Sequence, residues 1–186
     1  MKTTAKGFTL IELLIVIAVL GILAVAVLSA INPIEQINRS RDTGSRSDAE
    51  QLIGAIDRYY ATQGYYPWKT SPVGADTTVW GVVTTWPDTA TPTLEVLAKL
   101  SESGSGELKA SFVTRISDPG SNPLYKYNAG AAGNSTYVCF SPKSSAFKVE
   151  AATRCAATLP SDFPDADACP DTCTVATPDD CFSCLP

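Results

Sequence analysis

Three sets of residues in this sequence carry the types and spacing that chemistry needs: one carboxylate inside an apolar run, six cysteines and a group of late aspartates. Glu12 lies within Phe8 to Ile31 (FTLIELLIVIAVLGILAVAVLSAI), where only Thr9, Gly21 and Ser29 otherwise break the apolar character. A carboxylate in such a helix costs free energy, and a residue kept at that cost is a functional candidate. Cys139, Cys155, Cys169, Cys173, Cys181 and Cys184 all fall late in the chain. Outside the cytoplasm an even cysteine count favours disulfides, although six cysteines allow about 15 connectivities. Cys139 with Cys155 is the expected pair, because both border the predicted sheet, and the other four then staple the tail. The C-x3-C-x7-C-x2-C spacing also admits a four-thiolate zinc site. Asp162, Asp165 and Asp167 offer hard oxygen ligands of the kind calcium takes. They lack an Asp-x-Asp-x-Asp-Gly loop, so a solvated acidic surface competes with that assignment.

Several function classes fall away. The chain has no histidine, which removes the commonest general base, any Ser-His or Cys-His nucleophile and every histidine metal site. Fourteen basic and nineteen acidic residues give a net charge of −5, and no polybasic patch is present. A dedicated nucleic-acid site is therefore not expected. Ser145-Ala146-Phe147-Lys148 matches S-x-x-K without its companion motifs and sits in a segment that reads as strand. Asn38-Arg39-Ser40 and Asn134-Ser135-Thr136 satisfy the glycosylation pattern. No catalytic constellation emerges, and no cofactor other than the weak calcium candidate is implied.

The elements that must position these residues begin with the apolar run, which as a helix is about 36 Å long and can cross a hydrocarbon core of about 30 Å. Lys2 and Lys6 precede it and none follows within it, so the N-terminus is expected in the cytoplasm and the remainder outside. Ala24-Val25-Ala26 offers a signal-peptidase match, but it lies inside the run and more apolar residues follow. Pro33 removes a helix hydrogen bond and predicts a kink. Helical character resumes at Ile34, passes through the polar stretch from Arg39 to Asp48, and becomes amphipathic at Ala49, Leu52, Ile53, Ile56, Tyr59 and Tyr60. Gly64 is a natural helix terminator.

Gly7-Phe8-Thr9-Leu10-Ile11-Glu12, with lysines before and an apolar helix after, resembles the processing signature of type IV prepilins and type II secretion pseudopilins. The resemblance implies that a prepilin peptidase cuts between Gly7 and Phe8 and methylates the new amino group of Phe8. It further implies that Glu12 meets the terminal amine of a neighbouring subunit during assembly on an inner-membrane platform. The physics is coherent: cleavage removes two lysines and leaves an ammonium at the positive end of a helix, about 6 Å along the axis from Glu12. Tyr60 to Pro67 (YATQGYYP) and the turn Asp118-Pro119-Gly120-Ser121-Asn122-Pro123, followed by Tyr125 and Tyr127, are similar to pseudopilin segments. In the turn the order departs at Ser121, and the usual tryptophan is missing. Some pseudopilins bind calcium late in the head, which is the other source of the Asp162, Asp165 and Asp167 assignment.

The expected fold is α+β: a long N-terminal helix packed on a small antiparallel sheet, with a cysteine-rich C-terminal tail. Its divisions are a leader (1–7), a transmembrane and filament-core helix (8–31), the amphipathic second half of the long helix (32–63), an α/β head (64–154) and an acidic tail (155–186). Within the head, Thr77 to Trp86, Phe112 to Ile116, Leu124 to Asn128, Thr136 to Phe140 and Phe147 to Ala152 read as strands. Thr91-Pro92 reads as the start of a short helix through Leu94, Leu97 and Leu100, and Ser101 to Gly106 as a flexible loop. The functional expectation is a non-enzymatic subunit of a homo-oligomeric or mixed pilin filament, at the cytoplasmic membrane and then the cell surface. The rival is a membrane-anchored binding domain that never polymerises.

Overall fold

At Pro33, singled out above as a kink, one helix has ended and another begins in the computed structural model, which describes residues 7–30, 32–69, 71–73, 77–85, 96–101, 104–131 and 133–186. The apolar run forms α1 (Leu10–Ala30), and α2 (Pro33–Gln63) follows after Asn32. Proline suits a first helical turn because its missing N–H has no intrahelical partner there. Asn32 caps that turn, its Oδ1 accepting from the Glu35 backbone N–H at 3.3 Å. The far end of α2 stops at Gly64, whose φ of +77° is a left-handed conformation that glycine adopts without steric cost.

The chain forms two compact units, Met1–Ile37 and Asn38–Pro186. The second is built on a four-stranded antiparallel meander of β1 (Thr78–Val82), β2 (Leu124–Asn128), β3 (Tyr137–Phe140) and β4 (Ser183–Leu185), in spatial order β1-β2-β3-β4. Between the strands lie α3 (Val96–Leu100), α4 (Ala110–Ile116), α5 (Ser145–Cys155) and α6 (Asp165–Ala168). The α+β class and the antiparallel order agree with the sequence reading. The proposed start of α3 at Thr91-Pro92, with Leu94, lies outside the described residues, as does Trp86.

Strand alternation separates two cores. Leu124, Val138 and Phe140 point to one face and share a buried cluster with Ala49, Leu52, Ala55 and Ile56 of α2. Tyr137, Cys139 and Cys184 point to the other face, which the tail covers with Phe163 and Ala168. The acidic tail is therefore a second layer on the outer face of the sheet. With so few apolar residues of its own, it depends on that sheet face and on disulfides for order.

Two predicted strands are helices. In α4 the buried residues Phe112 and Ile116 are four apart, which is the period of a helix face, while Arg115 points to solvent. In α5 Ser144 is the N-cap, accepting from the Phe147 N–H at 3.4 Å, and the buried Ala151 and Ala152 lie on one face. The apolar content of both segments suggested strands, but neither alternates with period two. The loop from Ser101 is also tighter than expected. Ser101 accepts from the Gly104 and Gly106 N–H groups at 2.8 and 2.9 Å. A Cβ on Gly104 would fall 2.1 Å from the Lys99 carbonyl oxygen, so only glycine fits.

The expected Cys139–Cys155 pair is not formed. Cys139 bonds Cys184, Cys155 bonds Cys169, and Cys173 bonds Cys181. The reason is register: β4, which the sequence reading missed, sets Cys184 directly across from Cys139. Cys155 ends a helix instead of a strand and faces the tail. With all six sulfurs oxidised, no thiolate remains for the zinc alternative.

Candidate assembly site

In the second unit the most deeply placed charge is Asp42, which lies in the polar stretch from Arg39 to Asp48 that the sequence left without a role. It is fully buried on α2. Its Oδ2 accepts from the Ser144 N–H at 2.7 Å and the Ser144 hydroxyl at 2.6 Å, and its Oδ1 from the Lys143 N–H at 2.9 Å. These donors lie at the N-terminus of α5, where backbone N–H groups lack intrahelical acceptors and the dipole favours an anion. Asn122 adds a second clamp, donating from Nδ2 to the Ser141 carbonyl at 2.8 Å. Asp42→Ala should lower the unfolding free energy by about 3 kcal/mol, since it leaves buried donors unsatisfied. A urea titration with an unchanged slope and a lower midpoint is the expected result.

Of the calcium candidates, Asp162 is already engaged. Its carboxylate accepts from the Ser135 N–H at 2.7 Å and the Tyr137 hydroxyl at 3.1 Å, tying the tail to the sheet. Asp165 and Asp167 lie exposed on α6. Among the described residues, no group of three or more carboxylates or cysteines is placed to hold a metal ion. Burial, and then the hydrogen bond to Asp162, push the Tyr137 hydroxyl above the ordinary tyrosine range. The neutral phenol is thus favoured in the fold, and its stabilisation is complete below the ordinary tyrosine pKa of about 10 and lost as pH rises through the raised value. Tyr137→Phe should shrink that alkaline decline in a thermal melt followed from pH 8 upward, whereas an unchanged profile would place the pH sensitivity elsewhere.

In the first unit, Gly7 and Phe8 are exposed ahead of α1, with Phe8 at 86% exposure. Thr9 is the residue before the helix, and it forms a reciprocal cap with Glu12. The Thr9 N–H and hydroxyl donate to Glu12 Oε2 at 2.8 and 2.7 Å, while the Glu12 N–H donates to Thr9 Oγ1 at 3.3 Å. This is a capping box, T-x-x-E, and its signature was present in Thr9-Leu10-Ile11-Glu12 ahead of an apolar run. Beyond it α1 is apolar around its whole circumference and is long and apolar enough to cross a membrane.

The prokaryotic N-terminal methylation motif matches residues 2–28. The amino terminus is of the prepilin type. The chain is 40% identical over 81 residues to a fimbrial protein, EcpC, of Eikenella corrodens, covering 44% of this chain and 52% of that one. It is 39% identical over 77 residues to a fimbrial protein of Neisseria meningitidis serogroup B, covering 41% and 44%. A type IV major pilin, PilE1, of Neisseria gonorrhoeae is 40% identical over 74 residues, covering 40% and 33%. The chain thus spans about half or less of the length of the curated relatives it matches. No solved structure matches.

Proposed function

We propose that this chain is a structural subunit of a type IV pilus-like filament, trimmed between Gly7 and Phe8, N-methylated at Phe8 and assembled through α1. The observation that carries the reading is the prepilin-type motif over residues 2–28 ahead of a helix that is apolar on every side. Such a helix has two stable environments, a bilayer and a bundle of its own kind. Before assembly the membrane holds it, with the N-terminus cytoplasmic and Asn38–Pro186 outside. In the filament, neighbouring α1 helices replace lipid and the heads face outward. Glu12 supplies register there: its carboxylate, held at the helix start by Thr9, pairs with the methylated amine of an adjacent subunit. The partners are other pilin copies, a prepilin peptidase and an inner-membrane assembly platform. The likeness to fimbrial proteins favours a pilus over a secretion pseudopilus. The work is mechanical or adhesive.

Intact mass with N-terminal peptide mapping tests the reading on protein from membranes and from sheared surface material of the native host. A chain starting at methylated Phe8 in the sheared fraction is expected. An unprocessed chain confined to membranes would overturn the filament reading in favour of an anchored domain.

A further inference from the structure

We propose that the cationic groove between α2 and α4 receives the acidic, disulfide-bonded tail of a second copy of this chain. The inference rests on the filament reading above and adds a contact between heads. The groove is a depression of about 560 Å³ bordered by Arg58, Lys109 and Arg115, continued past Arg115 by one of about 210 Å³ that reaches Arg41 and Lys143. Among the described residues two carboxylates enter it. Glu107 pairs with Arg58 at 2.8 Å and Asp48 with Arg115 at 2.5 Å. Arg41, Lys109 and Lys143 are exposed, and their side chains make no ion pair among the described residues. Cations are thus concentrated here in a chain whose net charge is −5.

The matching anions lie in the tail of the same unit. After Arg154 the chain contains no lysine or arginine, and Asp165, Asp167, Asp171 and Asp180 are exposed. Asp179 pairs with Lys148 while remaining 79% exposed. The groove lies on the α2 side of the sheet, whereas the tail covers the opposite face. Within one copy Asp179 neutralises Lys148, whereas the side chains of Arg41, Lys109 and Lys143 keep no carboxylate partner among the described residues. Front and back are complementary, which is the condition for a head-to-tail contact that repeats along an assembly without closing on itself. Charge complementarity of this kind fixes register and weakens with salt.

The test uses the full-length chain, in sheared filaments and in detergent-solubilised membranes, treated with a carbodiimide that joins an ammonium to a carboxylate only in direct contact. Chain dimers linking Lys109 or Lys143 to tail aspartates are expected by peptide mass mapping. Lys109→Glu with Lys143→Glu removes the reacting amines and should abolish those links, and adding Asp165→Lys with Asp167→Lys, which sets new amines opposite the new carboxylates, should restore chain dimers at low salt. All four positions are exposed, so unchanged thermal melts should accompany the loss. Filaments that form without such links, and that the lysine reversals leave unchanged, overturn the docking and leave the filament reading standing. Links in detergent without filaments support the docking and remove the filament reading. If neither appears, both fall. Groove lysines protected by added polyphosphate in protein that shows no chain dimers would assign the groove to an external polyanion and overturn the proposal.

Discussion

Glu12→Val is expected to leave the protein in the membrane and remove it from filaments. The substitution makes α1 more apolar, so insertion does not suffer. It removes two functions at once, because the same carboxylate caps its own helix through Thr9 and is proposed to neutralise a neighbour's amine. Glu12→Gln separates them. A glutamine amide oxygen still accepts from the Thr9 N–H and hydroxyl, and glutamine serves at this position of a capping box as glutamate does. It carries no charge. The protein in the sheared fraction should fall by roughly tenfold or more for both variants, as the loss of a charge partner in a low-dielectric interior would demand. The membrane fraction should stay at the level of the unaltered protein. Assembly of the glutamine variant at the normal level, with failure of valine alone, would make the cap the essential function and remove the intersubunit charge pair. Normal filaments from both would remove any assembly role for Glu12.

How far the sequence disclosed this molecule depends on the range of the interactions involved. The apolar run, the stripe from Ala49 to Tyr59 and the stop at Gly64 were legible because each is written in local periodicity or in a single conformational demand. So were β2 and β3, whose residues alternate between the two cores. Failures arose where a distant segment decides. Asp42 looks like part of a solvated surface until α5 is known to start beside it, more than a hundred residues later. β4 has only three residues and no pattern of its own; it is a strand because β3 offers an unpaired edge and Cys139 offers a sulfur. The disulfide pairing followed the same logic, since the choice of Cys155 for Cys139 assumed that Phe147 to Ala152 was a neighbouring strand. At the N-terminus the information was local, and the capping box was overlooked only because Glu12 already had an assigned purpose. That residue caps its own helix through Thr9 and is also the carboxylate proposed to meet a neighbour's amine.

Removal of the Cys139–Cys184 bond by a paired Cys139→Ala and Cys184→Ala substitution should produce the largest loss of stability in the head. The bond joins positions 45 residues apart, and loop closure of that length constrains the unfolded chain by about 4 kcal/mol. Cys155–Cys169 and Cys173–Cys181 close loops of 14 and 8 residues and so contribute less each. The effect should also be uneven. Both sulfurs lie in the core between sheet and tail, whereas the α2 core draws on Leu124, Val138 and Phe140 from the opposite face. Hydrogen exchange should therefore accelerate first at residues 183–185 and across the tail, with amides of residues 49–59 keeping their protection until global unfolding. A uniform loss of protection across both faces would mean that the sheet and its tail form one cooperative unit with α2. Retention of the full unfolding free energy would mean that the apolar contacts of Phe163 and Ala168 hold the tail without the bond. The expected unevenness bears on assembly as well: the tail is the layer proposed to meet the next head, and its order comes from covalent links to a sheet that α2 stabilises from the other side.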